Sequence, residues 1–285
     1  MEKTMGGKFQ NINFELERLP TMPMVASQIM ELMNTPDVSA GTMAKIVAKD
    51  AAVAARVLKI ANSSFYRMSR QVSSLSTAIV ILGDRTFKNL ALAASMRGLN
   101  QSFGKTEKML WEDSVICALG SRYLALKLVL ADPEEAFMAG LFRHIGLVVL
   151  NNQETSAGDF ILQSIQEGNR EMAAQERQLF GATHAEIGAA VLEHWRLSEV
   201  LSLVALHHSD VAFDVAATQE AINLTAIVNI AGHLPGYFGI FGVHRQLNLG
   251  GLPGPKILGL DLEQLNENID EFQGIFEENR SDFLS

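Results

Sequence analysis

A chain of 285 residues, 48% of them hydrophobic, is long enough for one large domain or for two lobes around separate cores. Apolar runs such as "AIVIL" and "LVVL" fall far short of a membrane span, and a lone Cys117 cannot form an internal disulfide, so a cytoplasmic protein with no membrane partner is expected. The net charge of −9 argues against nucleic acid as a partner.

Helix signals recur along the chain and alternating strand patterns do not, which predicts an all-α fold of two lobes. Residues 1–15 read as an N-terminal extension without the apolar core of a secretory signal. "TMPMVASQIMELMNTP" has Thr21 as a cap, Pro23 in the first turn, Val25, Ile29, Leu32 and Met33 on one face, and a stop at Pro36. In "DAAVAARVLKIANSS", Asp50 caps a stripe of Val53, Ala54, Val57, Leu58 and Ala61. "STAIVILG" reads as a short buried helix between Ser76 and Gly83, and "DRTFKNLALAASM" restarts from Asp84. Short connections make residues 16–100 one helical lobe.

The second lobe is expected over residues 105–235. In "EKMLWEDSVICALGSRYLALKLVL", Leu110, Asp113, Cys117, Gly120 and Leu124 fall on one line, so Asp113 faces inward. "DPEEAFMAGLFRHIGLVVL" reads as one helix capped by Asp132, with Phe137, Leu141, His144 and Val148 on a face. Thr183 and Glu186 have capping-box spacing around His184, and "SEVLSLVALHHS" aligns Val200, Leu203, Val204 and His207. Residues 236–285 form a Gly/Pro-rich loop that buries "YFGIFG", then an acidic helix with apolar Leu262, Leu265, Ile269, Phe272, Phe276 and Phe283 expected to dock on its own chain. "GGLPGPK" is no phosphate loop, because no Ser or Thr follows the Lys and no strand precedes it.

Charge is unevenly spread. Residues 261–285 hold eight acids against Arg280, whereas residues 45–97 hold nine Lys and Arg against Asp50 and Asp84. Solvated helix faces account for most such patterns; the alternative is an anion-attracting surface carrying Arg56, Lys59, Arg67, Arg70, Arg85 and Lys88, with Arg67 and Arg70 in a loop and either an acidic protein or the acidic tail as its partner.

The run "LPTMPMVASQIMELMNTPDVSAGTMAKIVAKDAAVAARVLKIANSSFY", then "STAIVILG", "AGLFRHIGLVVL", "GATHAEIGAAVLEHW" and "ALHH", resembles the HDOD domain, a bacterial signalling module, over residues 16–235. "IANSSFY" is the most specific piece, and the tail "ILGLDLEQL" is similar to the end of many such proteins. The resemblance implies an all-helical fold whose second lobe is related to HD-type metal phosphohydrolases and HD-GYP cyclic dinucleotide phosphodiesterases, and a regulatory role without established catalysis.

Carried across position by position, the HD ligand pattern arrives degenerate. Its first histidine falls at Asp113, its His-Asp doublet at Arg143 and His144, its next histidine at His184, its later histidine pair at His207 and His208, and its final aspartate at Gly232. Hydrolysis of a phosphoester at such a site needs a cation that activates water and binds phosphoryl oxygens, and a guanidinium in the doublet repels that cation. The expectation is therefore a non-catalytic regulator without a cofactor, in which Arg143 or a charged His144 pairs with Asp113, and which acts on a signalling protein or a small anionic ligand.

Two alternatives stand beside it. One is a divergent metal-dependent phosphohydrolase with a divalent ion on Asp113, His144, His184 and His207 or His208, the latter preferred. The other is a homodimer built on the tail helix. Cys117, in an apolar helix without a base, reads as a core residue.

Overall fold

Capping side chains punctuate the N-terminal helices and set how they turn back on each other. The computed structural model describes residues 19–33, 38–66, 72–99, 104–153, 157–167, 171–213, 217–242 and 244–284. α1 (Met24–Met33) buries Val25, Ala26 and Ile29. The expected stop at Pro36 lies outside the described residues. α2 (Ala40–Val47) starts from Ser39, whose hydroxyl accepts from the Thr42 amide. α3 (Ala51–Ala61) starts from Asp50, whose carboxylate accepts from the amides of Ala52 and Val53. It buries Val53, Val57, Ile60 and Ala61, while Ala54 and Leu58 are half-buried.

α4 (Leu75–Leu82) departs from expectation. Its cap is Ser74, accepting from Thr77, and the helix is not buried all round, since Val80 is 78% exposed and only Ala78 and Ile79 are covered. Eight residues packed on one side can hide only one stripe. α5 (Asp84–Met96) is the buried one, covered at every residue from Thr86 to Met96, because it packs on α1, α3 and α4 and also on the later helix Pro133–Phe142.

α6 (Lys105–Leu128) is the spine of the helices that follow. α7 (Pro133–Phe142), capped by Asp132, lies along it, and Gly140 permits the approach: a Cβ there would stand 2.7 Å from the Cys117 carbonyl oxygen. The single helix expected to run on from here is broken. Arg143 and His144 form a turn, and α8 (Ile145–Gln153) starts after them. A methyl at Gly146 would collide with the His184 backbone, so α8 is pinned against α11 (His184–His194). That tertiary contact redirects the chain where apolar periodicity alone runs straight through. α9 (Ala157–Glu167) and α10 (Met172–Phe180) lead into α11, whose Thr183–Glu186 capping box is present. α12 (Glu199–His207) packs on α11, and α13 (Gln219–Ala231) packs on α12 and α6.

Residues 236–259 are broken by turns, as expected, and bury Phe238 and Phe241 beside α14 (Leu234–Tyr237) and α15 (Pro253–Ile257). α16 (Leu262–Leu284) docks on its own chain. It buries Leu265, Ile269, Phe272, Phe276 and Phe283; Phe272 lies 5.2 Å from Tyr123 of α6, and Phe276 stacks on Phe238 at 5.4 Å. No strand occurs among the described residues, and no helix of theirs is long and apolar enough to cross a membrane.

Candidate functional site

Four elements converge on Arg143. Asp113 comes from the middle of α6, Arg143 and His144 from the turn between α7 and α8, His184 from the first position of α11, and His208 from the end of α12. Arg143 is 1% exposed, and its Nη2 lies 2.8 Å from both carboxylate oxygens of Asp113. Burial pushes the Asp113 carboxyl up, with Arg143 pulling it back. Burial alone would pull the guanidinium down, but Asp113 and Cys117 together raise it, and Arg143 stays protonated.

His144 also belongs to the pair. Its Nδ1 lies 2.9 Å from Asp113 Oδ2, so the ring proton belongs on Nδ1; Arg143 Nη1 lies 2.6 Å from Nδ1 and 2.7 Å from Nε2, the nitrogen left to accept its N–H. Burial first, then Arg143 and His184, hold this imidazole well below its usual range and therefore neutral. His208 is likewise held low, by burial and then by His144 and His184. Its Nδ1 donates to the Ala205 carbonyl at 2.9 Å. His184 turns Nδ1 to Glu176, 2.7 Å away and fully buried, while its Nε2 is buried with no partner.

One nitrogen from each of His144, His184 and His208 lies within 4.8 Å of the other two. Imidazoles held by acceptors on their far nitrogens are oriented as metal ligands are. The donor set nevertheless fits an ion poorly. The His144 Nε2 lone pair is taken by Arg143, the Asp113 carboxylate is taken by Arg143 and His144, and what remains free is two imidazoles with a guanidinium alongside. At Gly232 a Cβ would stand 3.3 Å from Arg143 Nε, so the missing side chain there leaves the guanidinium its room.

His207 is turned away, its ring tilted against Phe213 with the centroids 4.7 Å apart. Of the basic residues, Arg56 donates to the Ala94 carbonyl and Lys59 to the Ser281 carbonyl on α16. Arg85 is exposed and bound to Asp132. Lys88 is no surface residue: it is 6% exposed and held by Asp84 and the Leu32 carbonyl, because α5 is covered on all sides. Arg67 and Arg70 lie outside the described residues. Cys117 is fully buried, and burial pushes its thiol up.

Sequence reading missed Glu176 and Asn229. Glu176 offered no signal, being one acid among the polar residues of a short helix. Asn229 donates to the carbonyls of His208 and Ser209 and accepts from the Gly254 amide, fixing the turn that carries His208; a lone Asn within the apolar "TAIVNIA" was the available hint.

The fold recurs in known proteins at different levels of likeness. A curated protein of Treponema pallidum (strain Nichols), itself uncharacterized, is 26% identical over 200 residues; that match takes 68% of this chain but 38% of the other, so the chain spans well under half of its relative. The fold is that of an HDOD domain protein of unknown function from Geobacter sulfurreducens, with 24% identity and a TM-score of 0.71 over 91% of this chain and 93% of that one. It is also that of a protein from Shewanella amazonensis SB2B named provisionally as a phosphohydrolase, with 22% identity and a TM-score of 0.71 over 94% and 96%. A protein of Marinobacter aquaeolei VT8 named provisionally for signal transduction matches with 22% identity and a TM-score of 0.69, over 97% of this chain and 62% of its own. The model of the HDOD domain matches residues 19–211, most of the chain, and on that match the protein belongs to the HDOD family.

Proposed function

We propose that this protein is a non-catalytic signalling module that works by binding a signalling protein or a small anionic ligand, its HD site closed by the protein's own charges. The carrying observation is the buried Arg143 guanidinium, bonded to Asp113 and His144 where the HD pattern would place a cation. Phosphoester hydrolysis needs a cation in contact with water and substrate. Here the positive charge is a side chain that cannot lower the pKa of a bound water in that way, and it is 1% exposed.

A second reading has one observation in its favour. The grouping of His144, His184 and His208, two of them with Nδ1 anchored on Asp113 and Glu176, matches how a divergent metal-dependent phosphohydrolase would hold an ion. Metal analysis of the purified protein, with a hydrolysis screen of phosphodiesters and nucleotides in added Mn²⁺ and Mg²⁺, separates the two. The regulatory reading expects metal far below one ion per chain and no turnover. Stoichiometric metal that is lost together with turnover in His184→Ala would overturn it.

A further inference from the structure

A cavity of about 570 Å³, a size that suits small ligands, opens away from the histidines, where the N-terminal ends of α5, α7 and α13 meet the turn between α11 and α12. Met30, Met138, Val200, Leu201 and Leu224 give it an apolar wall. Of the seven charged side chains on its lining, four are already engaged. Arg85 bonds Asp132 through two nitrogens, at 2.8 and 3.1 Å; Lys88 lies 2.6 Å from Asp84; and Glu134 accepts from Thr86, Asn89 and Arg122. Arg196, Glu135 and Glu220 are left over.

Arg196 is the unusual one. It follows α11 in the left-handed conformation, with φ 57°, and the amide of Leu197 after it reaches back to the Leu192 carbonyl at 3.0 Å. Glycine is the usual residue at that place in such a helix ending, because a Cβ is strained there. Arg196 nevertheless stands on the cavity lining, exposed, with its guanidinium in no hydrogen bond or ion pair among the described residues. A strained residue whose side chain does nothing for the fold points to a use outside it.

Glu135 and Glu220 supply the opposite charge. Glu135 is half-buried in the first turn of α7, and Glu220 is exposed in the first turn of α13. Neither carboxylate is hydrogen-bonded to a cationic side chain among the described residues, and burial first, then Glu220, raises Glu135 to about 7. α7 and α13 pack on each other and on α12, which Arg196 precedes. One uncommitted cation and two uncommitted carboxyls thus share a cavity with an apolar wall. A simple cation would leave Arg196 unmet, and a simple anion would face Glu135 and Glu220.

We propose that this cavity binds a small amino carboxylate, a zwitterion of the amino-acid kind. Its carboxylate accepts from the Arg196 guanidinium, whose planar fork matches a carboxylate. Its ammonium donates to Glu220 and Glu135, and its carbon chain lies on the methionine and leucine wall. The site is separate from the histidine cluster and does not rest on how that cluster is read.

Calorimetry with L-leucine and ε-aminocaproate, which differ in the spacing of their charges, tests this, each run beside the analogue that lacks the amine and the analogue that lacks the carboxylate. At least one of the two zwitterions should bind, at least about tenfold more tightly than either of its own analogues. Arg196→Gly removes the guanidinium and suits the backbone there, so Tm should hold or rise while affinity for the zwitterion falls at least about tenfold. An arginine with only a structural role would leave that affinity unchanged. Glu220→Gln, at the exposed start of α13, should weaken binding in the same direction without lowering Tm. No binding of either zwitterion, an analogue that binds as tightly as its parent, or unchanged affinity in Arg196→Gly would overturn the proposal.

Discussion

Asp113→Ala tests whether the site is held by charge pairing. The substitution removes the carboxylate that lies 2.8 Å from Arg143 Nη2 and leaves a guanidinium of 1% exposure with the neutral His144 and a 3.4 Å contact to the Gly232 carbonyl. Stripping one partner from a buried pair costs about 3–5 kcal/mol, far beyond the truncation of a short side chain, because the other charge stays desolvated. For a chain of this size that lowers Tm by roughly 6–20 °C. Replacing both partners, as Asp113→Leu with Arg143→Met, removes the charges together and should return to within about 2 kcal/mol of wild type or exceed it. Urea melts followed by circular dichroism, run on the wild type, both single variants and the double variant, give the coupling directly. If Asp113→Ala costs less than about 1 kcal/mol, or if the double variant is as damaged as the sum of the singles, Arg143 does not depend on Asp113 and the charge-closure argument fails.

Gly146→Ala forces a methyl into the His184 backbone and should cost about 3 kcal/mol or more, whereas Gly274→Ala, exposed on α16 with nothing within 4 Å, should stabilise by up to about 1 kcal/mol; the same melts compare them. His144 and His208 are held neutral below the usual 6.5, so their contribution is complete above about pH 6.5 and is lost below it as the unfolded chain takes up protons that the folded protein refuses. Two such groups give about 2.7 kcal/mol per pH unit below that point; Glu135, raised to about 7, acts in the opposite sense, so the slope in Glu135→Gln should be the steeper one, read from melts at successive pH values. Ending the chain after residue 260 removes five buried apolar side chains of α16, a loss on the order of 10 kcal/mol by area, comparable with a domain's whole stability, so light scattering should find aggregate; a monodisperse, cooperatively melting fragment would contradict the docking seen here.

Local signals carried most of the helices. Asp50, Asp132 and the Thr183–Glu186 box cap where their side chains can reach the first free amides, a property of three or four neighbouring residues. The inward turn of Asp113 was legible for a similar reason, since a carboxylate on an apolar helix line needs a cation and Arg143 was the nearest candidate in the resemblance. The break at Arg143–His144 was not legible, because it is set by Gly146 meeting the His184 backbone from a distant part of the chain. Glu176 beneath His184 and the burial of Lys88 are also tertiary facts. So is the choice between His207 and His208: one-residue spacing puts them on different faces, and only the packing of α12 decides which one joins the cluster.

The altered positions compensate one another as a set. In the HD pattern the aspartate of the doublet and the final aspartate supply two negative charges, and a divalent cation balances them among neutral imidazoles. By the resemblance, those two positions fall at His144, kept neutral by burial, and Gly232, which has no side chain. The negative charge has moved to Asp113, and Arg143 balances it. That pairing offsets the cost of burying either charge, and the other buried carboxylate, Glu176, is held by His184. Adding a dication to the present set would leave about two positive charges against a carboxylate already committed, and restoring only one acid would leave the guanidinium contesting the ion's place. On the regulatory reading proposed above, a single reversion breaks the balance, and an ion-binding form would require changes at Asp113, Arg143, His144 and Gly232 together.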